Sequence, residues 1–358
     1  DWPRGAGGKS ESGVTARSHR LLSQVAAVQW PTSDWRLTAR SGPSVCADGA
    51  GQIRVSVLCW IGKEAGQTVL YALDQNELKQ LRSADWTAEF PGAKVLTAVF
   101  QTDPAVLARI LPRPLRTPER PLGFAFVAHY PKTNFGTVYS EAALFVQAEY
   151  RGRKGMYCLA MPVDDDMAMA GGREVFGYPK KLAESITLEK AGTKVVGSVV
   201  RKGTELIRIE VEPNRSADID ALAQTGEPDP TSPRAFEVTV YLFKHFQSPT
   251  MRGFDYLPRL VAEPVVLRPR DDVLDGNGTL SLTSSPYDPV GEIPVIEMIT
   301  CAYGTFDNTM LPGKVVGRVW NPLAFAKHAL FKVDVVPVKL GYVDDHYATA
   351  PENRNPET

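Results

Sequence analysis

The sequence predicts a mostly β protein: an antiparallel sheet curled into a barrel or a sandwich, accompanied by a few short helices. Three observations lead to this fold class. Strand-like segments follow one another at short spacing from residue 94 onward, turn residues stand between most of them, and the helix-like segments are brief. This pattern is typical of antiparallel β folds, whereas a parallel βαβ order needs a longer helix between successive strands.

The first elements are a helix, a strand and a second helix. Asp74 is placed to cap a helix over DQNELKQL (Asp74 to Leu81). KVLTAVFQTD (Lys94 to Asp103) is typical of a strand, and Pro104 then opens the short helix PAVLARIL, because proline is favoured at the first helical position. The other predicted strands are LGFAFVAHY, YSEAALFVQAEY, GMYCLAMPV, ITLEKAGTKVVGSVVRKG, TELIRIEVEP, FEVTVYLFKHF and VVGRV.

Outside the predicted strands and helices, the composition changes along the chain and indicates three parts. The first ~20 residues are rich in glycine, serine and charge and are expected to be disordered. A hairpin is predicted from Gln52 to Leu73, and an exposed loop from Arg215 to Arg234. We therefore predict an N-terminal extension of unknown role over 1–87, a β-barrel domain over 88–335 and a polar C-terminal tail over 336–358.

Composition and charge exclude several classes of partner. Forty basic residues against 41 acidic ones give a net charge of -1, so the chain has no excess of positive charge for a nucleic acid. The four cysteines lie far apart without a CxxC pair, which indicates free thiols in a reducing compartment and no zinc site. No run of ~18 apolar residues occurs, and glycine and charge occupy the N-terminus. We expect a cytoplasmic protein that binds neither nucleic acid nor membrane.

One stretch, GGREVFGYPKKLA (Gly171 to Ala183), places Lys180 and Lys181 side by side between aromatic and aliphatic residues. With a reference pKa near 10.4, only about one lysine in ~2,500 is a neutral nucleophile at pH 7. Burial in an apolar cavity or a second cation nearby lowers that pKa, at about 1.4 kcal/mol per unit. The alternative is a surface pair whose aliphatic stems pack on apolar neighbours. The acidic residues before the stretch predict a short helix that ends at the glycines, and Pro179 then leads into an extended segment.

The stretch resembles the signature of the acetoacetate decarboxylase family, in which GRE is followed by a Y/F-P-K-K-L run. The resemblance implies that Lys180 is the Schiff-base lysine and that Lys181 lowers its pKa, and this family is itself the standard example of a lysine activated beside a second cation. Tyr139-Ser140-Glu141 is similar to the family's Y-[ST]-E segment and stands 39 positions before Lys180, which makes Glu141 the candidate acid/base. FQTDPAVLARILPRPL and SPYDPVGEIPVIEMITCAYGTFD extend the similarity to roughly 91–319.

The sequence departs from the family pattern at two positions. Members that decarboxylate acetoacetate carry an arginine on the first strand, where this chain has Ala93 followed by Lys94. They carry a second glutamate on the strand before Y-[ST]-E, where this chain has Phe124 or Phe126. Adjacent strand residues face opposite sides, so Lys94 replaces the arginine only after a shift of one residue. A phenylalanine in place of glutamate favours a neutral lysine and a bulkier or less charged substrate.

If both lysines lie on a regular strand, Lys181 points away from Lys180 and repels it only weakly. Desolvation by apolar neighbours is then the larger cause of a lowered pKa. The candidate substrate-binding residues are Phe124, Phe126, Met161 and Tyr178, although the interior of any barrel is lined by such side chains.

The resemblance implies a β-barrel or cone of the acetoacetate decarboxylase type, no external cofactor, no metal and a homo-oligomer. It implies a Schiff-base lyase in which Lys180 attacks a ketone and Glu141 moves protons. Decarboxylation of a β-keto acid is the first expectation, with aldolase-dehydratase chemistry on a keto acid as an alternative. A catalytically lapsed barrel that binds an apolar small molecule is the alternative from a different class.

Overall fold

The structure, a computed structural model, describes residues 71–229, 235–250 and 252–343. Its helices are α1 (Gln75–Ser83), α2 (Pro104–Ile110), α3 (Asp166–Gly171), α4 (Ile219–Ala223), α5 (Pro322–Ala329) and α6 (Val335–Lys339). Its strands are β1 (Ala88–Gln101), β2 (Leu122–Tyr130), β3 (Tyr139–Tyr150), β4 (Arg153–Val163), β5 (Lys180–Leu182), β6 (Ser185–Ala191), β7 (Lys194–Arg201), β8 (Thr204–Ser216), β9 (Glu227–Pro228), β10 (Phe236–Lys244), β11 (Arg259–Pro269), β12 (Leu274–Leu282), β13 (Glu297–Met310) and β14 (Lys314–Arg318). Strands hold 49% of the described residues, which confirms the mostly β prediction.

Seven strands close into a barrel. Their order is β1, β2, β3, β4, β10, β11 and β13, and β13 returns to pair with β1. The pairings around this ring are antiparallel except between β4 and β10, which run parallel. The short strand β5 runs parallel to β4, as a further exception to the predicted antiparallel order. Closure leaves the barrel without a free edge along this ring.

A second set of strands covers one side of the barrel. Strands β12, β8, β7 and β6 continue the sheet from β13, and β6 and β7 contact β1, β2 and β3 from outside. The strands β1 to β3 are therefore buried on both faces, which explains why their sequences read as nearly continuous apolar runs.

Alternate residues of β2 show this division. Phe126 and Ala128 belong to the core inside the barrel, whereas Ala125 and Val127 belong to the core between the barrel and the outer strands. Side chains that alternate along a strand lie on opposite faces, so residues of even number on β2 face the interior. The same rule places Tyr139 and Ala143 of β3 inside the barrel, and with them the position between, Glu141.

The predicted exposed loop from residue 215 to 234 is wrong over its described part. β8 continues to Ser216, α4 follows, and β9 pairs with β10. Leu222 of α4 is only 3% exposed because it packs into the core inside the barrel. The low aromatic content of this segment gave no sign that Leu222 and Thr225 are buried.

The two ends of the chain are only partly described. α1 begins after Asp74, whose side chain accepts hydrogen bonds from the backbone of Asn76 and Glu77, so the predicted cap is confirmed. α5 and α6 follow the last strand, where no helix was predicted. The predicted disorder of the first ~20 residues, the hairpin up to residue 70 and the tail from residue 344 lie outside the described residues. The boundaries at 87/88 and 335/336 stay predictions.

Within the described ranges, no helix combines the length and apolar character needed to cross a membrane.

Candidate active site

Lys180 begins the short strand β5, which follows helix α3 and a π-helical turn. Asp165 caps α3 by accepting a hydrogen bond from the Ala168 amide at 2.7 Å. The helix does not end at the glycines, as the sequence predicted, but continues as a π-helical turn over Gly172–Phe176. Gly177 ends that turn at φ 102°, a left-handed conformation that favours glycine. The chain then extends into β5, which begins at Lys180.

Lys180 and Glu141 meet inside the barrel. β5 pairs with β4, and β4 pairs with β3, so Lys180 and Glu141 lie two strands apart in the barrel wall. Both side chains line the same cavity inside the barrel. Lys180 Nζ lies 2.6 Å from Glu141 Oε2, and the two side chains are only 7% and 6% exposed. A contact this short between buried ionisable groups is a charge-assisted hydrogen bond along which a proton can move.

Three tyrosines surround this pair. Lys180 Nζ lies 5.5 Å from the ring centroid of Tyr139 and 5.8 Å from that of Tyr178, within the range of cation–π attraction. The Tyr130 hydroxyl donates to Glu141 Oε1 at 3.4 Å. Burial first, and then the charge of Glu141, raise the pKa of Tyr130 and of Tyr139 well above the usual value, so both phenols stay protonated.

The four predicted substrate-binding residues lie together with the pair. Phe124, Phe126, Met161 and Tyr178 all line one cavity with Lys180 and Glu141. We call this cavity the lysine chamber. Its volume is about 90 Å³, and its described wall is otherwise apolar apart from Tyr130, Thr225 and Asn308.

Lys181 lies on the other face of β5. Its ammonium is 2.8 Å from Asp288 Oδ1 and 3.0 Å from Asp334 Oδ1, and it donates to the Tyr287 carbonyl at 2.8 Å. Arg201 also pairs with both aspartates. The alternation of side chains along β5 thus places the two lysines on opposite faces of the strand. The ion pairs that Lys181 and Arg201 make with Asp334 hold the segment after α5 against the rest of the fold. The predicted catalytic role of Lys181 has no support from this placement and stays a prediction.

A larger cavity, about 290 Å³ by the same measure, lies on the Lys181 side. Two of the three lysines that line it have partners: Lys181 is paired as above, and Lys332 donates to the Gly177 carbonyl at 2.9 Å. Burial, with Arg173 nearby, lowers the pKa of Lys332 to about 7. This cavity is larger than the lysine chamber, but the lysine chamber holds the amine and carboxylate in contact, and the lysine chamber is therefore the candidate active site.

Ala93 and Lys94, where the sequence departs from the family pattern, face opposite sides of β1, as expected for adjacent strand residues. Ala93 is fully buried in the core inside the barrel. Lys94 points outward, with 45% of its side chain exposed, and pairs with Asp272 at 3.4 Å and with Thr305. Lys94 therefore does not take the place of the missing arginine.

Sequence reasoning missed Glu263. This residue of β11 is 0% exposed, and neither carboxylate oxygen has a hydrogen-bond partner of good geometry among the described residues. Burial raises the pKa of Glu263 to about 8, and the nearby Tyr178 hydroxyl and Lys180 ammonium offset this only in part. A glutamate inside the strand-like run RLVAEPVVLRP was the available signal, because an acidic side chain at an inward position is rare unless it has a use.

The arrangement is suited to amine chemistry on a carbonyl compound. Proton transfer from Lys180 to Glu141 converts two buried charges into a neutral amine and a neutral acid. That amine is a nucleophile for a ketone, and the acid can return the proton to the bound molecule. Across the described ranges, no three His, Cys, Asp or Glu side chains are grouped closely enough to hold a metal ion.

Comparisons with known proteins agree with the resemblance. The family model described as acetoacetate decarboxylase matches residues 79–319. Acetoacetate decarboxylase 2 of Mesorhizobium japonicum is 30% identical over 241 residues, which cover 63% of this chain and 82% of that relative. An acetoacetate decarboxylase of Chromobacterium violaceum is 31% identical over 236 residues, which cover 63% of this chain and 87% of that relative.

Solved structures share the fold. A crystal structure of acetoacetate decarboxylase from Legionella pneumophila superposes with a TM-score of 0.57 at 20% identity, over 65% of this chain and 88% of that one. An acetoacetate decarboxylase-like enzyme from Sphingomonas wittichii gives a TM-score of 0.51 at 21% identity, over 66% of this chain and 93% of that one. The predicted barrel type is therefore confirmed.

Proposed function

The chain belongs to the acetoacetate decarboxylase family, and on that premise we propose that it is a Schiff-base-forming lyase that decarboxylates a β-keto acid through Lys180. At the level of the family, the relatives support a lyase. The observation that carries the finer proposal is the 2.6 Å contact between Lys180 Nζ and Glu141 Oε2 inside an apolar chamber.

The proposed reaction begins with the neutral amine of Lys180. It attacks the ketone carbon, and loss of water leaves an iminium ion. The bond to the carboxylate carbon then breaks, carbon dioxide leaves, and the iminium accepts the bonding electrons and becomes an enamine. Glu141 accepts the ammonium proton, returns it when water leaves, and, after taking a proton from solvent, delivers it to the enamine carbon. Water hydrolyses the resulting iminium, which releases a ketone and restores Lys180.

The chamber supports decarboxylation through its low polarity. Lys180 and Glu141 are the only charged residues in its described wall, so a bound carboxylate gains little solvation there. Loss of neutral carbon dioxide removes the charge that the apolar wall disfavours. Phe124 and Phe126 strengthen this effect where the family pattern has a carboxylate.

We further propose a cytoplasmic homo-oligomer. Trp320 and Leu323, beside the start of α5, are 80% and 86% exposed, and large apolar side chains with that exposure are typical of contact surfaces. Cys158 and Cys301 are buried free thiols, which agrees with a reducing compartment. Light scattering of the purified chain measures the subunit number.

Borohydride trapping tests the proposed chemistry. The protein is incubated with β-keto and 2-keto acids, reduced, digested and analysed by mass spectrometry. We expect a reduced adduct on Lys180 and release of carbon dioxide from a β-keto acid, and neither in Lys180→Met. Lys154→Met serves as the matched control, because Lys154 is an exposed residue of β4.

Two outcomes would contradict the proposed decarboxylase activity. An adduct that yields a condensed product with an added aldehyde, without carbon dioxide, selects aldolase-dehydratase chemistry. No adduct with any ketone leaves a barrel that binds an apolar molecule without covalent chemistry.

A further inference from the structure

The lysine chamber has a neighbouring cavity inside the barrel. This second cavity, which we call the inner chamber, is lined by Val95, Thr97, Leu222, Phe236 and Phe306, together with residues that it shares with the lysine chamber. The shared residues are Phe124, Phe126, Tyr130, Leu267 and Asn308. Two cavities with five common wall residues lie against each other.

The partition between the chambers is aromatic. The ring centroids of Phe124 and Phe126 are 5.9 Å apart, and each lies 6.1 Å from that of Phe145. Phe126 and Phe145 are nearly parallel, with an interplanar angle of 25°. Such faces favour stacking with an aromatic group. The sequence departs from the family pattern at one of the two rings that both chambers share, Phe124 or Phe126.

The combined space is larger than a small keto acid needs. The lysine chamber gives about 90 Å³ to water-sized spheres and the inner chamber about 50 Å³. At about 10–15 Å³ per water molecule, this is room for about six to nine and about three to five waters. Together this is room for about nine to fourteen waters, against about seven non-hydrogen atoms in acetoacetate and about twelve in a β-keto acid that carries a phenyl ring.

Asn308 stands between the two chambers. Its side-chain oxygen is buried and has no hydrogen-bond partner among the described residues. An unpaired buried amide oxygen is costly, and a ligand that crosses from one chamber to the other is placed to satisfy it. The far end of the inner chamber is bounded by Leu222 of α4, which is 3% exposed.

We infer that the substrate is a β-keto acid whose ketone carries an apolar substituent the size of an aromatic ring, which extends from the lysine chamber into the inner chamber while Lys180 attacks the carbonyl carbon. This inference rests on the proposed Schiff-base function and names its substrate class. No charged residue lines the described wall of the inner chamber, so its contacts select size and apolar character.

A substrate series tests the inference in the wild-type protein. Carbon dioxide release is measured for acetoacetate, 3-oxohexanoate and benzoylacetate, and each is trapped with borohydride. We expect kcat/KM for benzoylacetate to exceed that for acetoacetate by at least about tenfold, the discrimination that an added apolar group gives in a fitting pocket. Equal or higher efficiency with acetoacetate overturns the inference and leaves the proposed function standing. No adduct with any of the three overturns the proposed function, and the inference with it.

A variant locates the selectivity in the inner chamber. Leu222→Trp fills the far end of that chamber, so the preference for benzoylacetate is expected to fall at least about fivefold relative to wild type. Leu340→Trp introduces the same residue at a 57% exposed position outside both chambers and is expected to keep the wild-type ratio. If folded Leu222→Trp keeps the wild-type ratio of kcat/KM between benzoylacetate and acetoacetate, the apolar substituent does not lie in the inner chamber and the inference is overturned. If Leu222→Trp does not fold, the wild-type series decides alone.

Discussion

Lys180 and Lys181 are neighbours in sequence, yet their ammonium groups lie in different environments on opposite faces of β5. Lys180 Nζ lies 2.6 Å from Glu141 inside the lysine chamber, whereas Lys181 Nζ lies 2.8 Å from Asp288 on the other side of the wall. A strand presents successive side chains to opposite faces, so the regular strand β5 does not present both amines to one substrate.

Replacement of Lys181 is expected to affect stability more than chemistry. Lys181→Met leaves Asp288 and Asp334 with Arg201 as their remaining partner. Removal of one member of a buried charge network typically costs about 3 kcal/mol, and less here because Asp334 is 32% exposed. Urea unfolding is expected to show a loss of about 2 kcal/mol, with the Lys180 adduct still formed in borohydride trapping.

The exposed Lys314 offers the matched control, since Lys314→Met is expected to change neither measurement. A folded Lys181→Met protein that forms no adduct would instead support the catalytic role that the family resemblance implies for Lys181.

Glu141 is expected to control the rate of proton transfer. Glu141→Gln keeps the size of the side chain but cannot accept the ammonium proton of Lys180. Loss of a positioned acid/base group typically lowers turnover by about 100- to 10,000-fold, so kcat is expected to fall by at least about 100-fold. Stopped-flow measurement of carbon dioxide release gives the rate. Glu89→Gln, at an exposed position of β1, is the control, and a rate in Glu141→Gln within about threefold of wild type would remove Glu141 from the mechanism.

Gly172 leaves space for the Lys180 side chain. A Cβ atom at this position would lie 2.6 Å from Lys180 Cδ and 2.7 Å from Cε, closer than side-chain atoms approach one another. Gly172→Ala is therefore expected to displace the amine from Glu141 and to slow adduct formation at least about tenfold. Gly171→Ala is the adjacent control, because its Cβ atom would have no neighbour within 4 Å. Equal adduct rates in the two variants would show that Lys180 adapts to the added methyl group.

Local sequence patterns were sufficient for most of the barrel. β2 and β3 begin and end where their apolar runs do, and Pro104 marks the start of α2. The separation between Glu141 and Lys180 was read from the family signature, and the chamber residues followed from it. These predictions depend on contacts within a strand or turn, or on a known motif.

The features that were missed depend on contacts between distant segments. Asp334 pairs with Lys181, which lies 153 positions earlier in the chain. Lys332, which follows the last strand, donates a hydrogen bond to the Gly177 carbonyl. Leu222 is buried only because the barrel interior lies next to α4. Nothing in the local composition of these segments indicates such partners, since each is polar or short.

Glu263 makes a pH-dependent contribution to stability with a definite sign. Its pKa is raised from 4.5 to about 8 in the folded protein, because burial disfavours the carboxylate. Between these two values the folded chain keeps the proton that the unfolded chain has released, so stability falls as pH rises, by about 1.4 kcal/mol per unit. Below pH 4.5 both states are protonated, and above pH 8 both are ionised, so this slope is confined to the interval.

Glu263→Gln isolates that contribution. The free energy of unfolding, measured in urea at pH 5.5 and 7.5, is expected to fall by about 2 to 3 kcal/mol more in wild type than in the variant. Other titrating groups act in both proteins and cancel in the difference. Parallel curves would show that Glu263 is ionised in the folded state at neutral pH, and the buried residue would then stand beside Lys180 as a second carboxylate.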